Sequence, residues 1–233
     1  MPSSAFRARA LNSGNAQPRP PSREGPSPSG LGTERDILDA AAHLFCTAGY
    51  GSTSTHKIAA RAGISQASMY HYFPGKQAIL LRLLLQTVRP SVQFATALSD
   101  RPEPADVRLW ALCSYDTRLL LSGRDNIGAL YLLPEVDQEP FAEFHSERER
   151  LYAVYRELVA SVTESDPEAA QQATALVTGL VESVILRRRT EGAMAADEVA
   201  PAIADAAAGT PGTRATAARG GPLPLGRPEE VMS

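Results

Sequence analysis

The sequence has few cysteines, few aromatic residues and no long apolar run. Its only cysteines, Cys46 and Cys113, lack the spacing of a zinc site and the density of a disulfide framework. We expect both to be small buried hydrophobes, with a redox switch as the alternative. Aromatic residues make up 6% of the chain, and an apolar content rich in Leu, Ala and Val favours helices over strands. Because no run of roughly 18 apolar residues occurs, the sequence predicts no membrane span.

Catalytic motifs are also missing. Ser54 and Lys57 have the S-x-x-K spacing of β-lactamases, but neither K-T-G nor S-D-N accompanies them, so we treat the match as chance. The sequence has no paired carboxylates at catalytic spacing and no metal-ligand spacing. We therefore expect a protein that is not an enzyme and that uses neither a cofactor nor a metal.

The first residues lack the pattern of a secretory signal. Arg7 and Arg9 are followed by Pro, Ser and Gly, where a signal peptide needs an apolar stretch. With 43% hydrophobic and 21% charged residues, the chain has the composition of a globular protein with a sizeable core. We expect a soluble protein in the cytoplasm.

Charge is distributed unevenly along the chain, although the net formal charge is only −3. Residues 1–30 contain four arginines and one glutamate, and residues 31–90 contain six basic and three acidic residues. Each of these segments therefore carries a charge of +3, and the remainder is acidic. A basic first third on an acidic body favours a protein that touches a polyanion with one end.

Composition divides the chain into a folded part and two tails. Residues 1–30 and the segment 209–233 have no apolar period, and we expect both to be disordered. Between them the apolar period is helical throughout, which predicts an all-α fold. The first helix is predicted to have Thr33 as its N-cap and to stop at Gly49. Further helices are predicted at about 55–62, 66–72, 75–90, 91–99, 104–122, 126–133, 138–163, 167–191 and 195–208.

Residues 53–80, TSTHKIAARAGISQASMYHYFPGKQAIL, have the pattern of two short helices joined by a tight turn. Gly63 supplies the positive φ of the turn, Ile64 packs beneath it, and Ser65 caps the second helix. Gln66, at the polar start of that helix, can bond adenine edges in a major groove. The pattern predicts a DNA-binding helix-turn-helix. Ser68 and His71 can face outwards with Gln66, and Tyr70, Tyr72 and Lys76 are suited to phosphate oxygens.

The stretch 33–83 resembles the DNA-binding domain of the TetR-type bacterial regulators. The resemblance rests on the first helix ILDAAAHLFCTAGY, on T-S-x-x-x-I-A-x-x-A-G-I-S, and on Y-H-Y-F-P-x-K-x-x-I-L. It implies an all-α homodimer, in which an N-terminal three-helix domain (31–80) reads half of a palindromic operator in double-stranded DNA. It also implies a C-terminal helical domain (81–208) for effector binding and dimerisation, and repression that a small-molecule effector relieves.

The resemblance also implies roles for individual residues. By position, Thr55, Tyr70, Tyr72 and Lys76 correspond to phosphate contacts, and His56, Gln66, Ala67, Ser68 and His71 correspond to the groove-facing set. Gly75 stands where many relatives have Ser, Asn or Asp, so the cap of the fourth helix is weaker. Because Ala67 and Ser68 offer few strong base contacts, DNA shape is expected to carry much of the specificity.

The C-terminal half resembles the family only in its architecture. The helices 138–163 and 167–191 have the placement of the pair that dimerises as a four-helix bundle. Five apolar residues are candidates for that interface, with burial inside one chain as the alternative: Leu176, Val177, Leu180, Val184 and Ile185. Five residues that mix apolar bulk with polar tips are candidates for an effector pocket, with core packing as the alternative: Trp110, Cys113, Tyr115, Thr117 and Tyr131.

Two other functions compete with a ligand-controlled regulator. The missing motifs disfavour a small helical enzyme. The basic first third disfavours a helical adaptor that uses the helix-turn-helix for protein contact without ligand control. Salt dependence of DNA binding separates the adaptor from the regulator. Between repression and activation, only the resemblance favours repression.

Overall fold

The computed structural model describes residues 29–163 and 167–209. These residues form α-helices and short 3₁₀ helices without a strand, which confirms the all-α fold class. The disorder predicted for the two tails falls almost entirely on residues 1–28 and 210–233, which lie outside the described ranges. The α-helices are α1 (Thr33–Ala48), α2 (Thr55–Arg61), α3 (Gln66–Tyr72), α4 (Lys76–Ser99), α5 (Ala105–Leu121), α6 (Ala142–Thr163), α7 (Pro167–Glu191) and α8 (Ala196–Ala208), and the 3₁₀ helices are Ile127–Leu132, Pro134–Asp137 and Glu139–Phe141.

The first three helices and the start of α4 enclose their own part of the core. α1 packs against both α2 and α4, and α2 packs against α3. Apolar side chains from each element meet in the centre, where they are fully buried or nearly so: Ile37, Phe45, Ile58, Met69 and Ile79. This arrangement confirms the predicted three-helix domain and leaves one face of α3 in solvent.

The first helix begins at Thr33. The sequence predicted Thr33 as its N-cap, and this prediction is wrong. The N-cap is Gly32, which has a φ of 102° and no side chain to cap the helix. The amide of Asp36 donates to the carbonyl oxygen of Gly32 at 3.1 Å, so Thr33 is already helical. Glu34 and Asp36 in the first turn interact favourably with the helix dipole and compensate in part for the missing cap.

The fourth helix is longer than the sequence predicted. α4 continues through Pro90, whereas the sequence predicted a stop there and a separate segment 91–99. A proline inside a helix removes a backbone hydrogen bond and costs roughly 3 kcal/mol. Buried side chains lie on both sides of it, among them Leu84, Val88 and Val92, and each contributes about 1.5–3 kcal/mol. The packing free energy therefore exceeds the cost of the proline, and α4 joins the two halves of the chain as one continuous helix.

The connection between α5 and α6 also differs from the prediction. Residues 126–133 and the start of 138–163 were predicted as α-helix, but the structure has 3₁₀ turns at Ile127–Leu132 and Glu139–Phe141, and α6 begins at Ala142. Pro134 and Pro140 lack the amide hydrogens that a continuous α-helix needs here. The chain therefore crosses this region in short turns.

In the C-terminal half, α5 and α6 pack against α4, α7 packs against α5 and α6, and α8 packs against α5 and α7. α8, which the sequence predicted at about 195–208, lies along α5 and is tied to it by a 2.9 Å hydrogen bond from Trp110 Nε1 to Asp205 Oδ1. By length and composition α7 could cross a membrane, but a core helix of a soluble protein passes the same test. Val177, Val181 and Val184 of α7 are indeed buried in the core of the chain.

Candidate DNA-binding surface and effector pocket

Local hydrogen bonds shape the turn between α2 and α3. The hydroxyl oxygen of Ser54 accepts from the amide of Lys57 at 3.3 Å, and that of Ser65 accepts from the amide of Ser68 at 3.0 Å. Both serines are N-caps, as the sequence predicted for Ser65. Gly63 has a φ of 72°, which an L side chain rarely adopts. The turn therefore has the predicted helix-turn-helix geometry.

Three residues predicted to contact DNA lie together where the start of α2 faces α3. Gln66 Nε2 donates to the hydroxyl of Thr55 at 2.9 Å, and that hydroxyl lies 3.2 Å from the phenol oxygen of Tyr70. These bonds hold the Gln66 side chain across the gap between α2 and α3. Tyr70 and Tyr72 are about half exposed, and the exposed surface continues over His56, Ala67 and His71, with Ser68 half-buried beside them.

Lys76, a predicted phosphate contact, is already bonded within the chain. Its Nζ donates to the carbonyl oxygens of Tyr50 at 2.9 Å and Thr53 at 3.2 Å, and it lies 4.2 Å from the centre of the Tyr50 ring. An ammonium group has three donors. Two of them hold the loop between α1 and α2 against the start of α4, so one donor is left for a phosphate.

A buried polar cluster lies beside the second half of α4. Asp116 is buried between Ser91 of α4, whose hydroxyl donates to it at 2.7 Å, and Tyr155 of α6, whose phenol donates at 3.2 Å. Burial raises the pKa of Asp116 from 3.8 to about 6 against the opposing effect of the Ser91 hydrogen bond. This carboxyl therefore titrates close to neutral pH and ties three helices together.

A second group of polar residues adjoins the cluster. Glu182 of α7 accepts from Arg148 at 2.6 Å and from the phenol of Tyr152 at 2.7 Å. Burial and the nearby Glu182 carboxylate raise the pKa of Tyr152 to about 12. Tyr131 bonds to the Thr87 hydroxyl of α4. The two groups enclose a small cavity of about 20 Å³, whose polar lining includes Thr87, Asp116, Tyr131, Arg148, Tyr152, Tyr155 and Glu182.

The five predicted effector residues are not brought together. Only Tyr131 lines the small cavity, although Cys113 lies close to Tyr155 beneath it. Trp110 is bonded to α8, and Tyr115 stacks on Phe94 with ring centres 4.2 Å apart. Thr117 is buried. Sequence reasoning missed Asp116, Arg148, Tyr152, Tyr155 and Glu182; the only sequence signal was the helical spacing of the three α6 residues.

The two cysteine thiols are held in their protonated form. Burial raises the pKa of Cys46 to about 11 and raises that of Cys113 still further. Because the thiolate is the reactive species, these pKa values disfavour the redox alternative and fit the expected role as small hydrophobes.

The loop between α5 and the first 3₁₀ helix connects α1 to α7. Arg188 of α7 donates to the carbonyl oxygens of Leu120 at 3.2 Å and Ser122 at 3.1 Å, so it caps the end of α5. On the other side of the loop, Asp125 lies 3.3 Å from His43 of α1. A cleft of about 970 Å³ separates α1 from this loop. The loop is thus held to the long C-terminal helix and contacts the N-terminal domain.

One face of α7 is apolar and exposed. Leu176 is 55% exposed, and Leu180, one turn further along the same face, is half-buried. Leu186 is 57% exposed and lies at the flank of this face. The other candidate interface residues, Val177, Val184 and Ile185, are buried inside the chain, which is the alternative that the sequence left open. Leu176 and Leu180 have the i, i+4 spacing of neighbours on one helix face, as on a helix that packs against another helix.

Comparison with known proteins agrees with this geometry. Residues 37–83 match the family model described as bacterial regulatory proteins, tetR family. The solved structure of AmtR from Mycobacterium smegmatis is 42% identical, with a TM-score of 0.73 over 81% of this chain and 90% of that one. The chain belongs to the TetR family of bacterial regulatory proteins.

Among curated proteins the similarity is concentrated in the N-terminal half. EthR of Mycobacterium tuberculosis is 34% identical over 87 residues, which is 37% of this chain and 40% of EthR. The uncharacterised regulator YuxN of Bacillus subtilis is 45% identical over 51 residues, which is 22% of this chain and 18% of YuxN. The matches thus span less than half the length of these relatives. Both relatives are described as HTH-type transcriptional regulators.

Proposed function

We propose that this regulator is a homodimeric repressor that binds a palindromic operator and leaves it when a small molecule enters the buried polar cluster. The observation that carries the proposal is the course of α4. This single helix begins at Lys76, beside the exposed face of α3, and reaches Ser91, which bonds to Asp116 in the cluster. A change at the cluster therefore acts on the helix that positions the DNA-binding surface.

The DNA contacts follow from the exposed surface of α2 and α3. Gln66 and His71 are the polar side chains best placed to reach base edges in the major groove. Thr55, Tyr70, Tyr72 and the remaining donor of Lys76 bind phosphates on either side and fix the register of α3. Ala67 and Ser68 are short and let α3 approach the base pairs closely, while His56 extends the surface from α2.

The dimer forms through the exposed leucine face of α7. Leu176 and Leu180 lie one turn apart on this face and Leu186 lies at its flank, and each leucine that is buried adds about 1.5–3 kcal/mol of hydrophobic stabilisation. In a symmetric dimer the same face pairs with itself. The two α3 helices then meet successive major grooves, about 34 Å apart along B-form DNA.

The effector acts by population shift. Its pocket contacts α4 through Thr87 and Ser91, and it contacts α7 through Glu182. The ligand favours a dimer in which the spacing of the two α3 helices no longer matches the operator. The solved structure of AibR, 19% identical with a TM-score of 0.60, contains isovaleryl coenzyme A and operator DNA, which illustrates both kinds of partner on this fold. A regulator of this kind acts in the cytoplasm, without a membrane, a cofactor or catalysis.

The proposal is tested by sequencing the genomic fragments that the purified full-length protein retains. We expect a palindromic site, bound by a dimer, with an affinity that falls steeply as the salt concentration rises. Expression of a reporter placed behind that site should increase when the gene for the protein is deleted. Retention of no specific DNA would favour the helical adaptor instead, and a decrease in reporter expression would show an activator.

A further inference from the structure

The guanidinium group of Arg148 occupies an aromatic box. It lies 5.0 Å from the ring centre of Tyr131, 5.2 Å from that of Tyr152 and 5.8 Å from that of Phe144. A cation over the face of an aromatic ring is attracted by the ring quadrupole at these distances. The rings come from α6 and from the 3₁₀ helix Ile127–Leu132. Together they form a site for a flat cation, which a side chain of the same protein occupies.

A carboxylate closes one side of the box. Glu182 accepts hydrogen bonds from Arg148 and Tyr152. The side chains of Arg148 and Glu182 are 23% and 35% exposed, respectively, so this pair lies at the mouth of the small cavity. Arg148 can therefore move out into solvent without crossing the core.

A second carboxylate, that of Asp116, lies beneath the box and forms no direct ion pair with a described residue. Asp116 is buried, and its hydrogen bonds come from the neutral hydroxyls of Ser91 and Tyr155. Among the described residues, no Arg, Lys or His lies within ion-pair distance of it. The cavity lining thus has two carboxylates and one guanidinium, and the positive charge of Arg148 also acts to lower the pKa of Asp116. A cation in the position of Arg148 therefore faces both carboxylates.

We propose that the effector is a small organic cation with a guanidinium, amidinium or ammonium head, which takes the place of the Arg148 guanidinium in this box. The proposal rests on the proposed function, because it names the ligand class of the same pocket. The head lies among Tyr131, Phe144 and Tyr152 and pairs with Glu182, above Asp116. An anionic ligand is disfavoured because it would meet both carboxylates.

The size of the cavity requires this displacement. Its volume of about 20 Å³ has room for about one water molecule, so a larger ligand enters only when Arg148 leaves. The departure changes the packing around Tyr131, which bonds to Thr87 of α4. Entry of the cation is thereby coupled to α4, the helix that connects the pocket with the DNA-binding domain.

The test uses methylguanidinium chloride and its neutral isostere N-methylurea, titrated into the full-length protein by calorimetry. Arg148→Ala empties the box, so we expect it to bind methylguanidinium roughly tenfold or more tightly than the wild type, in which Arg148 competes. N-methylurea should bind to neither protein. The matched control is Arg156→Ala, which removes an exposed arginine from the same helix and should bind methylguanidinium as the wild type does.

Equal affinities of Arg148→Ala and Arg156→Ala for methylguanidinium would overturn the proposal, and so would equal binding of N-methylurea. If Arg148→Ala does not fold, Glu182→Gln decides in its place, because it should abolish the weaker binding seen with the wild type and retained affinity would overturn the proposal. Retention of a palindromic DNA fragment is measured on the same preparations. A protein that retains the fragment but does not bind the cation refutes the ligand class alone, whereas failure to retain any specific DNA refutes the proposed function.

Discussion

The side-chain amide of Asn126 donates a 2.8 Å hydrogen bond to the carbonyl oxygen of Ile185 in α7. The backbone carbonyl oxygen of the same asparagine accepts a 3.5 Å contact from the thiol of Cys46 in α1. One residue therefore touches both the helix with the proposed dimer face and the first helix of the DNA-binding domain. Two residues further along, Gly128 packs directly against Ile185.

The contact between Gly128 and Ile185 leaves no room for a methyl group. A Cβ at Gly128 would lie 2.8 Å from Cγ1 of Ile185, so Gly128→Ala should destabilise the protein by about 1–3 kcal/mol through overpacking. Urea denaturation measures the change. In an Ile185→Ala background the added methyl group should have little further cost, which a double-mutant cycle detects. Gly51→Ala is the control, because a Cβ there meets nothing within 4 Å; an equal loss in this variant would contradict the steric explanation.

Asp116 should make the stability of the protein depend on pH. Burial raises its pKa to about 6 in the folded chain from an ordinary value of 3.8, so the folded state binds the proton more tightly than the unfolded state. The resulting stabilisation is fully present below about pH 4 and is lost as the pH rises to about 6, by roughly 3 kcal/mol in total. Asp116→Asn should remove this decrease, which denaturation at a series of pH values measures.

The exposed Asp100 provides the control for this prediction, since Asp100→Asn should leave the pH profile of the wild type in place. A profile of Asp116→Asn that coincides with the wild-type profile would show that Asp116 is not the group.

Cation binding to the pocket should strengthen over the same interval, as Asp116 ionises. The ionisable groups that line the cavity or lie beside it are Cys113 and Asp116 of α5, Arg148, Tyr152 and Tyr155 of α6, Glu182 of α7 and Tyr131; α4 contributes only the hydroxyls of Thr87 and Ser91.

Lys76→Ala should weaken binding to every DNA sequence. The change removes one phosphate contact, so the slope of log affinity against log salt should decrease by about 1. It also removes the two hydrogen bonds to the loop between α1 and α2, and the thermal stability of the domain should fall as well. Fluorescence anisotropy at several salt concentrations measures the slope. Arg101→Ala removes a positive charge outside the helix-turn-helix and should leave the slope unchanged; an unchanged slope in Lys76→Ala would remove this lysine from the contact set.

Gln66→Ala should act on sequence preference. Its amide is held by Thr55 in a fixed position, so its loss should relax the preference at particular base pairs by about 1–3 kcal/mol each. Selection of binding sites from random DNA by the variant and the wild type gives the comparison. Uniform weakening across all sequences would indicate a phosphate contact and contradict base readout by Gln66.

A charge on the exposed face of α7 should separate the proposed dimer. Leu176→Glu places a carboxylate where two copies of the helix meet, and the two carboxylates both repel one another and lose hydration. Sedimentation should show a monomer at concentrations where the wild type is a dimer. Leu132→Glu is the matched control, because Leu132 is 68% exposed but lies outside α7. A dimer that survives Leu176→Glu would assign the interface to another face.

The helix-turn-helix was predictable because its signals are local. They come from three consecutive residues, each acting through its residue type. Gly63 allows the positive φ, Ile64 packs beneath the turn, and Ser65 caps α3. The family pattern then supplied the roles of α3. Nothing comparable marks the pocket, because Asp116, Arg148 and Glu182 come from three helices and meet only after those helices pack.

The same limit explains the errors outside the site. A proline is a strong local stop signal, and only the buried face that continues beyond Pro90 overrides it. Likewise the apolar residues of α7 show one helical period, but periodicity alone does not say which side meets the chain and which side meets a second copy. Val177 and Leu176 are neighbours in sequence and lie on opposite sides of that division.

Pro90 provides a hinge point in the long helix α4. Without an amide hydrogen at Pro90, the carbonyl oxygen of Gln86 has no helical donor, and helices bend most readily at such a point. The segment from Lys76 to Arg89 is an arm about 20 Å long, so tilting it by about 10° carries its far end through roughly 3–4 Å. Ser91 and Thr87 lie on either side of this hinge point. Ser91 is hydrogen-bonded to Asp116 and Thr87 to Tyr131 in the proposed pocket. Under the proposed function, a displacement smaller than an ångström there becomes a step large enough to move α3 out of register with the base pairs.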